Sequence, residues 1–475
     1  MALGNHNIVA MTIWRPDLAG RTGPKFRQIA DAIGEAVAAG RLPRGARLPP
    51  QRELAYGLGV SLNTVSRAYA DATERGFVAG EVGRGTYVRE AGPLPPPEAE
   101  IASLARPLAG PIDFALNLPA PGEAAACLAE TLRDLSGSNC LAALLDYQTE
   151  GALDHHAAAA ADWLRRVGLA SRGEEIVLAT GAQHAILAAL MATTRPGDVI
   201  LSEALTYAPI KAIAHHLGLR LVPLAGGDGP LGPDALEAAC ARFSAKLLYC
   251  LPTLHTPTTR TMDAERRAAI ADVARRRGLV LIEDDVFGFL PAERPLPLAA
   301  FAPERTIYVT SLSKSLAPGL RVGYLKAPAE HARALRAAVK LSSWMPPPLM
   351  AEIASRWIAD GTADRLSDFQ RREALARQAT ARAILPPGLV EADPGGFHLW
   401  LTLPPQWRAE MFRMEAQSRG VKVLVGGAFA VDGAESPNAV RLCLSHEASR
   451  ARVEEGLVIL AELVGDSGAA GANVL

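Results

Sequence analysis

The stretch from Ser311 to Leu325, SLSKSLAPGLRVGYL, contains the densest chemistry in the chain. It begins directly after the apolar run Thr306–Thr310, which has the length and composition of a buried strand. Serine, proline and glycine restrict the turn, so Lys314 is expected at the end of that strand. A lysine held there can form a Schiff base with an aldehyde, and Arg321 offers a forked donor for phosphate. A lone lysine in a turn is more often a solvated charge, so a Schiff-base role for Lys314 needs support from the rest of the sequence.

Other short apolar runs precede this stretch, with Ala-rich, helix-compatible sequence between most of them. They are Ile176–Ala179, Val199–Ser202, Leu221–Leu224, Lys246–Leu251 and Leu279–Glu283. This order predicts an α/β fold with a mainly parallel sheet between helices, followed from Gly388 by a smaller α+β lobe. Such sheets bind ligands at the carboxyl ends of their strands, so the residues after each run are candidates for a site.

Three of those positions carry suitable side chains or backbone. Gly181, Ala182 and Gln183 follow the first run and open an apolar helix, whose N–H groups could bind an anion. Asp284, in Glu283-Asp284-Asp285, follows directly after the run 279–283, where a carboxylate could hold a protonated pyridine nitrogen. Tyr207 could stack on a planar ring. Taken singly, these residues have ordinary explanations as a turn, a helix cap and core packing.

The amino-terminal region has a different pattern. Apolar residues at 26, 29, 30, 33, 37 and 38 predict a helix that ends at Gly40. Two short helices, Gln51–Leu58 and Leu62–Gly76, are joined at Gly59, and Val78–Val88 predicts a hairpin with a glycine-rich tip. This order suits a helix-turn-helix with a wing, with Val65, Ala68 and Tyr69 facing the core. From spacing alone, a helical cap with a solvated basic face remains an alternative.

Length, charge and cysteine content bound the function classes. At 475 residues two or three domains are expected, and no apolar run reaches the length of a membrane span. Residues 21–90 hold 11 basic and 7 acidic residues, a net charge of +4, whereas the whole chain carries −1. A basic end on a neutral protein hints at a polyanion partner. Five scattered cysteines without metal spacing predict a reducing cytosol.

The segments GPKFRQIADAI, GRLPRGARLPPQRELA, LGVSLNTVSRAYADATERGFV and GRGTYV, in that order, resemble the winged-helix DNA-binding domain of the GntR family over residues 21–89. By this resemblance six residues would face DNA: Arg52, Ser61, Asn63, Thr64, Arg67 and Arg84. Leu62 departs from the family, in which a polar or basic residue is common. The domain is predicted over residues 16–90, and six prolines in residues 91–111 predict a semi-rigid linker.

Residues 112–462 resemble fold-type I pyridoxal-phosphate enzymes of the aminotransferase class I/II family, and we predict this domain over 112–465. The resemblance implies pyridoxal 5'-phosphate as the cofactor, a Schiff base at Lys314 and a pairing of Asp284 with the pyridine nitrogen. It implies that Tyr207 stacks on the ring and that Arg441, in AVRLCLS, binds a substrate carboxylate. The phosphate would be held by Gly181, Ala182, Gln183, Ser311, Ser313 and Arg321, and by Tyr147 of DYQTEG reaching from a partner subunit.

Two positions depart from the aminotransferase pattern. In LPTLHTPTT, Thr256 stands where the family has an asparagine that bonds the cofactor's phenolic oxygen, and in DDVFGFL, Phe287 replaces a tyrosine that bonds the same oxygen. Phe287 cannot donate a hydrogen bond, so we expect cofactor binding to survive and fast transamination to be impaired. His155 and His156 match no motif and are expected on a solvated helix face.

A winged helix, a proline-rich linker and an aminotransferase-like domain together resemble the MocR subfamily of GntR regulators. The resemblance implies a cytoplasmic homodimer that binds operator DNA and responds to a small amine or amino acid. That effector would displace Lys314, form an external aldimine and change operator binding. Two alternatives remain at this stage: a working aminotransferase with an appended DNA-binding domain, and a regulator that no longer holds the cofactor.

Overall fold

The computed structural model describes residues 14–18, 21, 23–43, 45–74, 77–81, 85–88, 110–148, 153–224, 231–432 and 434–465. The chain divides into two compact units, residues 1–105 and 106–475. Arg84 and residues 91–109 of the predicted linker lie outside the described residues.

The described residues of the amino-terminal unit form three helices and a hairpin, as the sequence predicts. Its elements are α1 Lys25–Ala38, α2 Gln51–Leu58, α3 Leu62–Glu74, β1 Val78–Glu81 and β2 Gly85–Val88, and the two strands pair antiparallel. Between α2 and α3, Gly59 adopts a left-handed φ of +62°, a conformation that glycine adopts without steric cost. The predicted core residues Val65, Ala68 and Tyr69 are buried.

Thirteen further strands lie in the part of the larger unit that the structure describes. They are β3 Ile112–Asp113, β4 Ile176–Ala179, β5 Val199–Ser202, β6 Arg220–Pro223, β7 Ala245–Cys250, β8 Val280–Asp284, β9 Thr306–Ser311, β10 Gly323–Lys326, β11 Val390–Glu391, β12 His398–Thr402, β13 Val421–Lys422, β14 Leu424–Val425 and β15 Ala439–Cys443. The six apolar runs of the sequence correspond to β4 to β9, with ends that agree within one residue.

A central seven-stranded sheet has the order β4, β10, β9, β8, β7, β5, β6. The neighbours from β9 to β6 are parallel, whereas β10 lies antiparallel between β4 and β9. The predicted α/β fold with a mainly parallel sheet is therefore confirmed. The antiparallel strand β10 was not predicted, because its residues had been assigned to the turn that carries Lys314.

Helices pack around this sheet and continue into the carboxy-terminal lobe. They are α4 Ala124–Ser136, α5 Leu141–Leu145, α6 Asp154–Arg165, α7 Ala182–Thr193, α8 Pro209–His216, α9 Pro233–Arg242, α10 Ala264–Arg277, α11 Leu298–Phe301, α12 Leu312–Ser315, α13 Ala329–Ser343, α14 Pro348–Ala359, α15 Thr362–Ile384, α16 Ala409–Ser418 and α17 Arg450–Gly465. Their short connections are typical of α/β units. Across the described part of the chain, no helix is long and apolar enough to cross a membrane.

The carboxy-terminal lobe is built on a second, smaller sheet, as expected from Gly388 onward. Strands β11, β12, β15 and β14 form it in that order, and all neighbours pair antiparallel. Leu399, Val440 and Leu442 from the sheet pack against Leu457 and Leu460 of α17 in one buried cluster. Strand β13 pairs instead with β3, so the start of the larger unit is bound to this lobe.

Candidate functional site

A cavity of about 220 Å³ lies at the carboxyl ends of the central strands. Among its lining residues are most of those predicted for the cofactor and effector: Ala182, Gln183, Tyr207, Thr256, Asp284, Ser311, Ser313, Lys314, Arg321 and Arg441. The sequence did not single out Asn117, Leu118, Leu251, Val286 and Pro318, which also line it. These five carry no distinctive chemistry, and only the fold brings them to the cavity.

Lys314 is positioned by the junction of β9 and α12. Ser311 caps this short helix, its hydroxyl accepting from the N–H of Ser313 at 3.4 Å. The ammonium of Lys314 donates to the carbonyl of Asn117. Burial lowers the pKa of Lys314 to about 8; the nearby Arg441 also lowers it, while Asp284 raises it. About a tenth of this amine is therefore uncharged at pH 7, far more than for an exposed lysine, and the uncharged form is the nucleophile.

Asp284 ends β8 and is only 4% exposed. One carboxylate oxygen, Oδ2, accepts a hydrogen bond from the Tyr249 hydroxyl at 2.7 Å. The other, Oδ1, is buried and has no hydrogen-bond partner among the residues that the structure describes. Burial raises the pKa of Asp284 to about 6, although the Tyr249 bond opposes that shift. A buried acceptor without a donor suits the protonated ring nitrogen of pyridoxal phosphate.

The amino end of α7 forms a cradle for an anion. Gly181 has a φ of +81°, and a Cβ there would lie 2.6 Å from the Arg321 guanidinium. Arg321 donates to the carbonyl of Thr180 at 3.2 Å, which holds its charge at the amino end of the twelve-residue helix. A Cβ on Gly323 would lie 2.6 Å from the Gly181 carbonyl carbon. Free helix N–H groups, the helix dipole and an arginine fork together fit a phosphate.

Arg441 lies on β15 and reaches the cavity from the smaller sheet. Its Nη2 donates to the carbonyl of Ala115 at 2.6 Å, and its guanidinium carbon lies 4.9 Å from the ring centre of Phe429. Its Nε is buried and, within the described ranges, has no hydrogen-bond acceptor. The arrangement leaves donor capacity for a carboxylate of a small molecule.

The two departures from the aminotransferase pattern both lie at the cavity. Thr256 is 5% exposed and lines it with its hydroxyl-bearing side chain. Phe287 also lines it, and its ring packs against Phe397 at 5.9 Å and His398 at 5.7 Å between centroids. The Phe287 ring brings no hydrogen-bond donor to the wall of the cavity.

Two predicted features lie elsewhere. Tyr147 is 76% exposed and its ring contacts Trp344 at 5.5 Å, outside the cavity of Lys314, so its predicted contact with a partner subunit's phosphate stays a prediction. The expectation that His156 is solvated is wrong, because it is 1% exposed and its Nδ1 bonds the Ser355 hydroxyl at 2.8 Å. The Ala-rich helix α6 packs against α14 on the face that bears His156. Burial lowers the pKa of His156 to about 4.

In the amino-terminal unit, the start of α3 carries the predicted DNA-facing residues. The Ser61 hydroxyl accepts from the N–H of Thr64 at 3.2 Å and lies 2.8 Å from the Thr64 hydroxyl, so it caps the helix. Asn63 and Arg52 are exposed. The Arg67 guanidinium lies 4.3 Å from the ring centre of Phe26, which orients it. Arg84, predicted at the tip of the wing, lies outside the described residues.

Comparisons with known proteins identify the families of both units. Residues 121–458 match the family described as aminotransferase class I and II, and residues 25–88 match bacterial regulatory proteins of the gntR family. The HTH-type transcriptional regulator YdeF of Bacillus subtilis is 30% identical over 95% of this chain and 97% of its own length. The HTH-type transcriptional regulator TauR of Rhodobacter capsulatus is 28% identical over 93% of this chain and 97% of its own.

A solved structure resembles the larger unit. It is α-aminoadipate aminotransferase LysN from Thermus thermophilus, in complex with N-(5'-phosphopyridoxyl)-L-leucine. The TM-score is 0.65 at 28% identity, and the match covers 77% of this chain and 94% of that one. The winged-helix and fold-type I assignments from the sequence are thereby confirmed. The aminotransferase fold implies pyridoxal phosphate as the cofactor of this unit.

Proposed function

Because the chain belongs to the aminotransferase class I and II family and carries a gntR-family domain at its amino end, the combination typical of MocR-type transcription regulators, we propose that its larger unit is an effector sensor. In this proposal an amino compound binds the larger unit and changes the affinity of the winged helix for operator DNA. The single observation that carries the proposal is that Lys314, Asp284 and Arg321 line one cavity in a chain that also has a DNA-binding domain.

The residues at the cavity fit pyridoxal phosphate. Asp284 offers an unpaired carboxylate oxygen to the ring nitrogen, the amino end of α7 with Arg321 offers donors to the phosphate, and Tyr207 lines the space beside the ring. When bound, this cofactor supplies an aldehyde that reacts with primary amines and a ring that withdraws electrons. The amine of Lys314, with its lowered pKa, is the group of this chain that competes for the aldehyde.

The same cavity suits an effector that carries both an amine and an acid group. Arg441 has an unpaired Nε for a carboxylate, and it lies close enough to Lys314 to lower the pKa of that lysine. An effector amine that replaced Lys314 at the aldehyde would free the lysine ε-amine, which takes up the proton that the effector's ammonium loses, and its carboxylate would bring a new anion to Arg441. Regulation then requires that DNA and effector prefer different states of the protein, with a coupling typically of ~1–3 kcal/mol.

A homodimer is part of the proposal, because two winged helices would match two operator half-sites. The proposed DNA contacts are those predicted from the sequence: Arg52, Ser61, Asn63, Thr64, Arg67 and Arg84. A cytoplasmic location, where five free cysteines persist, stays a prediction.

The first experiment compares the absorption spectra of the purified protein and of a Lys314→Ala variant, each with added pyridoxal phosphate. We expect a visible band that depends on the lysine, and amines can then be screened for a shift of that band. An operator selected from a random duplex library is next titrated with protein, with and without the effector found. Identical spectra of wild type and variant, or an operator affinity that ignores the effector, would contradict the proposal.

A second candidate is a working aminotransferase that happens to bind DNA. Lys314, Asp284 and Arg441 line the cavity together, which favours it, whereas Phe287 supplies no hydrogen bond to the cofactor's phenolic oxygen. Steady turnover between an amino donor and a 2-oxo acid would decide for this candidate. If Phe287 limits the chemistry, a Phe287→Tyr, Thr256→Asn double variant should transaminate faster than the wild type while binding operator unchanged.

A further inference from the structure

We propose that Tyr249 is a positioning residue for the cofactor, which holds Asp284 ionised and directs its free oxygen toward the cofactor ring. The inference rests on the proposed cofactor site and concerns a residue on β7 that lies outside the lining of the cavity. Tyr249 was not singled out by the sequence, because a tyrosine in an apolar strand ordinarily indicates core packing.

The two carboxylate oxygens of Asp284 have different roles, one as acceptor for Tyr249 and the other as acceptor for a ligand. Tyr249 is fully buried, and its hydroxyl donates to Asp284 Oδ2 at 2.7 Å, a length typical of a hydrogen bond to a charged acceptor. Strands β7 and β8 are parallel neighbours, with Tyr249 paired to Ile282, so the donor is fixed by the sheet itself. With Oδ2 occupied, Oδ1 is the oxygen left for a ligand.

The charge of Asp284 needs this support. Burial raises the pKa of Asp284 most and Asp285 raises it further, whereas the Tyr249 bond lowers it more than the Val286 N–H and the Lys314 ammonium do. Burial also raises the pKa of Tyr249 well above its ordinary value, so the phenol stays protonated and acts as the donor. Without the bond, Asp284 would more readily take up a proton. A neutral carboxyl group pairs poorly with a protonated ring nitrogen.

The chain provides a matched control two strands away. Tyr308 on β9 is also fully buried, and its hydroxyl also donates at 2.7 Å, in this case to Asp285 Oδ2. Asp285 receives a second bond from Arg294 at 2.7 Å and does not line the cavity. Tyr249→Phe and Tyr308→Phe therefore remove the same atom from the same kind of bond, and only the first carboxylate faces the ligand.

The test measures the affinity of full-length protein for pyridoxal phosphate by absorption and by quenching of tryptophan fluorescence. We expect Tyr249→Phe to weaken binding about 10- to 100-fold and Tyr308→Phe to change it by less than about threefold. The unfolding temperatures of the two cofactor-free variants, measured in parallel, should fall by similar amounts. In an Asp284→Asn background, Tyr249→Phe should add little further loss, since the carboxylate through which it acts is gone.

The outcomes separate this inference from the proposed function. A wild type that shows no lysine-dependent band refutes both. If the wild type shows the band but the two tyrosine variants lose equal cofactor affinity, the role of Tyr249 is refuted and the proposed function is not. The same holds if Tyr249→Phe causes its full loss of affinity in the Asp284→Asn background. Should Tyr249→Phe be recovered in low yield, its affinity is measured on the folded fraction at a temperature well below its unfolding transition, and the Asp284→Asn pair repeats the comparison.

Discussion

Raising the pH from 7 to 9 should accelerate the capture of pyridoxal phosphate by cofactor-free protein, because only the uncharged amine of Lys314 is a nucleophile. Burial lowers the pKa of this lysine from its ordinary value of 10.5 to about 8. At pH 7 about one Lys314 amine in ten is then free, against about three in ten thousand for an exposed lysine. The structure therefore predicts capture roughly 300-fold faster at pH 7 than an unperturbed lysine would allow.

The assay is stopped-flow absorption of the Lys314-dependent band from pH 6 to 10.5, with a free lysine derivative in the same buffers to correct for the titration of the cofactor itself. We expect the corrected rate to rise with pH and to level off above a midpoint near pH 8. Arg441→Leu removes a positive charge that lowers the lysine pKa, so its midpoint should move upward, whereas Arg441→Lys retains the charge and should move it less. A midpoint near pH 10, or a rate without pH dependence, would refute the reasoning.

Three further predictions test other parts of the molecule. Gly181→Ala places a Cβ 2.6 Å from the Arg321 guanidinium and should weaken cofactor binding more than 10-fold in an affinity titration. Gly197→Ala, at a φ of +93° in open space, is the control. Both variants should lower the free energy of unfolding by ~1–2 kcal/mol, but Gly197→Ala should leave cofactor affinity unchanged. His156 has a folded pKa of about 4 against an ordinary 6.5, so its neutral form stabilises the fold above pH 6.5. This stability is lost as the pH falls from 6.5 to 4, and His156→Asn should flatten the urea-measured stability over that window by up to ~1.4 kcal/mol per pH unit. Asn63→Ala should lower operator affinity in an anisotropy titration and leave the unfolding temperature unchanged. Ser61→Ala should lower operator affinity and also reduce the free energy of unfolding by ~1 kcal/mol, because the helix cap is lost. Equal stability in the two variants would contradict the assigned capping bond.

Local sequence patterns predicted most of the elements of this fold correctly. The strands β4 to β9 are short, continuous apolar runs between helical stretches, and that signal needs no knowledge of the partner strand. The end of β9 was also predicted from the serine, proline and glycine residues that follow it, although the structure places Lys314 on the short helix α12 instead of in a turn. Strand β10 was missed because its residues lie in the stretch that had been assigned to the turn, and its antiparallel pairing with β4 and β9 depends on strands far apart in the sequence.

The features of the site likewise divide into those that local sequence predicts and those that depend on distant residues. Lys314, Asp284 and Gly181 were predicted because each follows a strand, and parallel strands bring their carboxyl ends to one edge. Nothing local indicates that the Asn117 carbonyl accepts from Lys314, 197 residues away, or that Ala115 holds Arg441. These bonds exist only once the segment after β3 has folded over the cavity.

The sequence by itself determined the two kinds of domain, the order of their elements and the residues that present an amine, an acid and a phosphate cradle. The tertiary structure alone decided which groups are buried and what they bond. It paired Tyr249 with Asp284 and Tyr308 with Asp285, although all four residues lie on or beside apolar strands. The physical reason is that propensity and periodicity act over a few neighbouring residues, whereas charge state and side-chain direction depend on desolvation and on partners supplied by distant parts of the chain.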